Sequence, residues 1–100
     1  MATQTSIFHP NSDNINSAPT TGTSTAEIVI GKNRLFAINA DQDVYLAFGN
    51  AGMSAASTAN WRLPANVIAT FDLADAFDRI RAFNNSASTA NIAILFLSRG

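Results

Sequence analysis

Arg34-Leu35-Phe36-Ala37-Ile38-Asn39, followed by Ala40-Asp41-Gln42-Asp43 and then Val44-Tyr45-Leu46-Ala47-Phe48-Gly49, is the stretch that decides the fold. Val44, Leu46 and Phe48 alternate with Tyr45 and Ala47, a repeat of two that puts every second side chain on one face of a strand. Asp41-Gln42 supplies the turn chemistry between the two runs. Working outward, Ala26-Glu27-Ile28-Val29-Ile30 predicts a preceding strand, separated from Arg34 by the turn Gly31-Lys32-Asn33. Downstream, Gly49-Asn50-Ala51-Gly52 stops the chain where glycine permits positive φ. Residues 54–60 are a small polar loop, and Trp61-Arg62-Leu63 before Pro64 reads as an edge segment, because proline cannot serve a central ladder.

Residues 67–73 predict a strand with Val67, Ala69, Phe71 and Leu73 on one face. Asp75-Ala76-Phe77-Asp78 is a tight connection to a strand over residues 79–83. Asn84-Asn85-Ser86-Ala87-Ser88 predicts a hairpin feeding the apolar run of residues 90–97. The expectation is an all-β fold: a small antiparallel β-sandwich, jelly-roll-like, of about six to eight short strands over residues 26–100. Ile92, Ile94 and Phe96 form one face of the last strand and Ala93, Leu95 and Leu97 the other, while Leu35 and Tyr45 similarly oppose the core set. A second apolar face requires either a partner layer or subunit, or a central strand buried on both sides within the monomer.

Residues 1–25 differ in composition. Thr, Ser, Asn, Pro and Gly dominate, Lys and Arg are absent, and Ile7, Phe8 and Ile15 are the sizeable apolar groups. Such a segment cannot fold alone. It predicts an extended polar N-terminal arm, anchored by Ile7, Phe8 and Ile15, that reaches roughly 80 Å when extended and so could lie on a neighbouring molecule.

The 100 residues carry six basic against seven acidic side chains, a net charge of -1, and no cysteine. One domain with one core fits that length. The charge balance offers no footprint for nucleic acid, and the absence of cysteine removes disulfides, thiolate nucleophiles and zinc ribbons. The 13% charged fraction lies below the roughly 25% of an average domain. Asn, Ser and Thr supply the polarity instead, and such a surface desolvates cheaply against neighbours. No apolar run approaches the roughly 18 residues of a spanning helix, and Met1 to Ser6 lacks the charged start of a secretory leader, so synthesis and folding in the cytoplasm are expected.

No catalytic, cofactor-binding or metal-binding residue is predicted. His9 sits in the polar arm without a scaffold. Asp72, Asp75 and Asp78 sit three apart around a turn, where capping and ion pairs with Arg79 and Arg81 explain them without calcium. Asp41 and Asp43 are turn aspartates, and Asn84-Asn85-Ser86 matches the glycosylation sequon. Trp61 with Arg62 has the composition of an interface hot spot or a sugar-stacking platform, and Tyr45 is a second candidate for subunit contact.

The order of these elements carries a resemblance. Arg34 to Asn39, Val44 to Gly49, Leu63-Pro64-Ala65-Asn66, Phe71-Asp72-Leu73, Asp78-Arg79-Ile80-Arg81-Ala82 and the final Ser-Thr-Ala segment before an apolar strand resemble the small β-sandwich virion proteins of tailed bacteriophages. The likeness covers Ile28 to Gly100. It departs at Asn66, where glycine is usual, although Asn also tolerates left-handed φ. The resemblance implies a non-enzymatic capsid decoration or cement protein on the virion exterior. Its partners would be the major capsid protein and copies of itself, with a trimer as the first expectation, and no nucleic acid, membrane or cofactor. Neck, tail or fibre components are the alternative, including a tip domain that binds a host surface glycan.

Overall fold

The computed structural model describes the backbone of residues 8–99 and the side chains of residues 14–97. The described chain forms nine strands in two antiparallel sheets, with no helix among the described residues. In chain order they are β1 (Phe8–Ser17), β2 (Thr23–Ser24), β3 (Ile28–Val29), β4 (Leu35–Ala40), β5 (Val44–Gly49), β6 (Trp61–Leu63), β7 (Ala69–Asp72), β8 (Arg79–Asn84) and β9 (Ile92–Arg99). One sheet runs β1-β9-β4-β7; the other runs β2-β8-β5-β6, with β3 also on β8. This is the small antiparallel sandwich expected, with its strands interleaved as in a jelly roll.

The period-two pattern places the core between the sheets. Phe36 and Ile38 of β4, Val44 and Leu46 of β5, Ile80 and Ala82 of β8, and Ile92, Ile94 and Phe96 of β9 all lie in one buried cluster. The opposite face of β9 is open, with Leu95 37% exposed. Leu63 and Leu73 close the cluster from the ends of β6 and β7.

The structure departs from expectation at the connections. Residues 85–91 do not close a hairpin, because β8 and β9 belong to different sheets; the segment arches across the core. The turn at Asp41-Gln42 likewise carries the chain from one sheet to the other. Turn residues reverse a chain in either geometry, so composition cannot distinguish a hairpin from an arch. The Asn66 turn does behave as expected: its φ is 63° and its N–H donates to the Ala40 carbonyl at 2.8 Å.

The boundary expected between residues 25 and 26 falls inside a paired edge. β2 and β3 are two halves of one edge strand on β8. At the break, the Thr25 N–H donates to the Ala82 carbonyl at 2.8 Å, and the Thr25 hydroxyl accepts from the Ala82 N–H at 3.0 Å. The Thr25 carbonyl is turned to Arg81 Nε at 2.9 Å instead, so a side-chain oxygen fills the place of a backbone one in the ladder. Upstream, β1 pairs with β9 of the same chain, Ile15 opposite Ile94, with an irregularity between Pro10 and Asn14. Ile15 packs on the chain's own core and therefore anchors the segment internally. Ile7 lies outside the described residues, as does the side chain of Phe8. A polar segment suffices here because an added edge strand needs one inward face and a ladder, not a core of its own.

Asn84, at the end of β8, is fully buried. Its Nδ2 donates to the Pro19 carbonyl at 3.0 Å and the Ser88 carbonyl at 2.8 Å, and its Oδ1 accepts from the Ser86 N–H at 2.9 Å. A glycan on the Asn84-Asn85-Ser86 sequon is thus incompatible with the fold. Asn84→Ala removes one donor from each of two carbonyls, leaves the Ser86 N–H without its acceptor and opens a buried space, and should lower stability by about 2–4 kcal/mol. Asn84→Asp, which aims a carboxylate at those carbonyls, should cost more; urea unfolding at pH 7 measures both.

Candidate functional site

The β5–β6 register separates two residues that are adjacent in sequence. Trp61 stands opposite Leu46, which faces the core, and Arg62 stands opposite Tyr45, which faces outward. Trp61 and Arg62 therefore do not form one hot spot. Arg62 and Tyr45 share the outer face of the β2-β8-β5-β6 sheet, in a row with Phe83.

Arg62 grips Asp43 there, with Nη2 2.7 Å and Nε 3.2 Å from Oδ2, while Asp43 Oδ1 accepts from the Ala65 N–H at 2.7 Å. The Arg62 hydrogen bond, then the Ala65 N–H, hold the Asp43 carboxyl below its ordinary range. Asp41 is also lowered, first by the Asn91 side chain and then by the Asn91 N–H. Both aspartates staple distant segments together rather than only closing their own turn.

Much of that outer face is covered by the chain's own residues 50–60. Arg81 Nη1 donates to the Met53 carbonyl at 3.2 Å and the Ala56 N–H donates to Ser24 Oγ at 3.1 Å, leaving Ala56 buried. Gly49 lies under Met53, whose Cβ would sit 2.9 Å from an added methyl. Arg81 bonds carbonyls, not the aspartates expected. Asp72 Oδ1 instead accepts from the Ala74 N–H, Asp75 accepts from Asn33, and Asp78 faces Arg79 at 3.5 Å. These carboxylates shape turns and pairs, and among the described residues no group of three or more His, Cys, Asp or Glu side chains could hold a metal ion.

The β1-β9-β4-β7 sheet is the opposite case. Its outer face carries a shallow groove of about 250 Å³ whose floor and walls include Ala37, Ala93, Leu95, Asn14, Asn39 and Ile68. Asp72 is the one charged residue among the described side chains of those four strands. Among the described residues, no further layer covers Ala93 and Leu95 on the second face of β9, while Leu97 is half-buried beside the buried Leu35.

A second exposed apolar region follows the side where β6 and β7 end their sheets. Trp61 meets Phe71 edge-on with centroids 5.5 Å apart, and Phe71 in turn contacts Phe48 at 5.1 Å and Phe36 at 5.7 Å. Trp61 remains 49% exposed, Phe77 39%, Val67 43% and Ile68 69%. Val67 is thus not on the core face expected for it, because β7 begins only at Ala69. Ile68 and Phe77 were not singled out from sequence; the signal available for Ile68 was that it falls out of phase with Ala69, Phe71 and Leu73.

The chain matches no protein-family model and no curated protein. Among solved structures it is similar to a de novo designed double-stranded β-helix determined by solution NMR, at 17% identity and a TM-score of 0.60, over 85% of this chain and 99% of that one. At that identity the likeness speaks for the fold alone.

The aspartate staples make a pH prediction. Carboxyls lowered in the folded state contribute stability that is complete above their unfolded value of 3.8 and is lost as pH falls through the lowered folded values. The urea midpoint should therefore drop on acidification below 3.8. Asn in place of Asp43 should lower the midpoint at pH 7 and flatten the acid-side loss.

Proposed function

We propose that this chain is a non-enzymatic structural protein of a tailed-phage virion, a decoration or cement protein seated on the capsid exterior against the major capsid protein. The observation that carries this reading is the groove on the outer face of the β1-β9-β4-β7 sheet, where Leu95 and Ile68 stand exposed above Ala37 and Ala93 among asparagines and no charged side chain lines it among the described residues. Such a face loses little on desolvation and gains from apolar contact. Repeated over a symmetric lattice, modest contacts of this kind sum to firm attachment without any single strong site.

Two further points support the reading: the order of strand and turn motifs from Ile28 to Gly100, and a jelly-roll sandwich that holds the face rigid. The arm component of the expectation is reduced by the pairing of β1 within its own sheet. The sheet face takes its place as the docking element.

Quantitative mass spectrometry of purified virions, scaled to the major capsid protein, tests the assignment. Hundreds of copies are expected; about three to twelve would move the protein to the neck, tail or fibre, and absence from the particle would overturn the reading. Leu95→Lys, which places a charge in the groove, should keep the folded circular dichroism spectrum and reduce occupancy on the particle by about tenfold or more.

A further inference from the structure

We propose that the open edge of β7 is where a second copy of this chain docks, strand against strand about a two-fold axis, with Thr70 facing Thr70 of the other copy. The inference stands on the edge itself and does not depend on the virion reading.

β7 ends its sheet, with β4 on one side and no strand on the other among the described residues. The Leu73 N–H donates to the Arg34 carbonyl at 3.2 Å, which fixes the phase of the ladder, because antiparallel strands bond through alternate residues. Ala69 and Phe71, opposite Ile38 and Phe36, are then the β7 residues bonded to β4. Thr70 lies between them and directs its N–H and C=O to the open side.

Exposed edges in stable monomers are usually blunted by Lys, Pro, a bulge or a covering loop. β7 reads Ala69-Thr70-Phe71-Asp72 and has no Lys or Pro. Around it, Trp61, Val67, Ile68 and Phe77 leave on the order of 400 Å² of apolar side chain exposed per copy, within the size range that marks a contact site on a monomer. Addition of the strand and its neighbours brings the buried area towards that of a small specific interface.

The pattern is complementary to itself in one register. With Thr70 opposite Thr70, the two residues exchange a pair of N–H···O bonds, and their hydroxyls meet on the outer face as a favourable cross-strand pair. On the core side, each Phe71 then faces the small Ala69 of the other copy, so large fills against small. The two Asp72 residues fall about 13 Å apart along the ladder, beyond close repulsion. The two-fold operation uses the same patch on both copies and joins the two four-stranded sheets into one continuous sheet.

Sedimentation equilibrium of the full chain from about 1 to 100 µM should show a monomer passing to a dimer, in the range where modest interfaces associate. Amide exchange at Thr70 should slow as the dimer forms. Thr70→Pro removes the outward N–H and leaves the β4 ladder untouched, so it should weaken the dimer by about 100-fold while the circular dichroism stays folded. Because the chain has no cysteine, Thr70→Cys supplies a single thiol, and the hydrogen-bonded pair separation of about 5.5 Å between Cα atoms permits a disulfide across the axis. A covalent dimer under mild oxidation would support the register. A monomer at every concentration, a trimer, a dimer indifferent to Thr70→Pro, or no cross-link from Thr70→Cys would each overturn it.

Discussion

The buried carboxamide of Asn84 ties the end of β8 to two links of the chain, the one from β1 to β2 and the one from β8 to β9. Its Nδ2 reaches the Pro19 carbonyl on the way from β1 to β2 and the Ser88 carbonyl on the way from β8 to β9. The Asn84 carbonyl also accepts from the Gly22 N–H at 2.7 Å. A jelly roll must cross its open ends repeatedly, and each crossing leaves backbone groups that no ladder satisfies. One fully buried amide with two donors and an acceptor resolves several of them at once. With that end tied, β9 is fixed against β4 and β1, and the outer face of their sheet is fixed with it.

Much of the sandwich was legible because alternation is a local property. The inward residues of β4, β5, β8 and β9 follow from period two alone, and the Asn66 turn follows from the tolerance of asparagine for positive φ. The routing between sheets was not legible, since Asp41-Gln42 and Asn84 to Ser88 have turn chemistry whether the chain folds back or arches over. The pairing of the N-terminal segment with β9 was not legible for a related reason. Composition measures whether residues 1–25 can make a core, whereas β1 needed only Ile15 and a partner ladder.

The placement of the candidate contact residues was legible in part. Tyr45 and Arg62 do share a face, but Trp61 points to the other side of the same strand, which adjacency in sequence should itself have indicated. The second apolar face noticed on β9 divides into two outcomes across the molecule. On one sheet the outward residues are partly roofed by residues 50–60, through Ala56 and Met53; on the other, Leu95 stands open. Strand patterning identifies apolar faces but cannot say which one a distant loop will cover.

The placement of β9 has a consequence for how the protein is made. β1 is complete at Ser17, yet its partner begins at Ile92, and β4 also waits for β9 on one side. At ordinary rates of translation the first strand spends on the order of ten seconds without its ladder. Little of this fold can close while the chain is still growing, and the sandwich assembles only once the residues up to Arg99 are in hand. Until then β1 and β4 present unpaired backbone to other nascent chains, and the polar character of residues 8–25, with few large apolar side chains, keeps the unfinished strand from sticking to them.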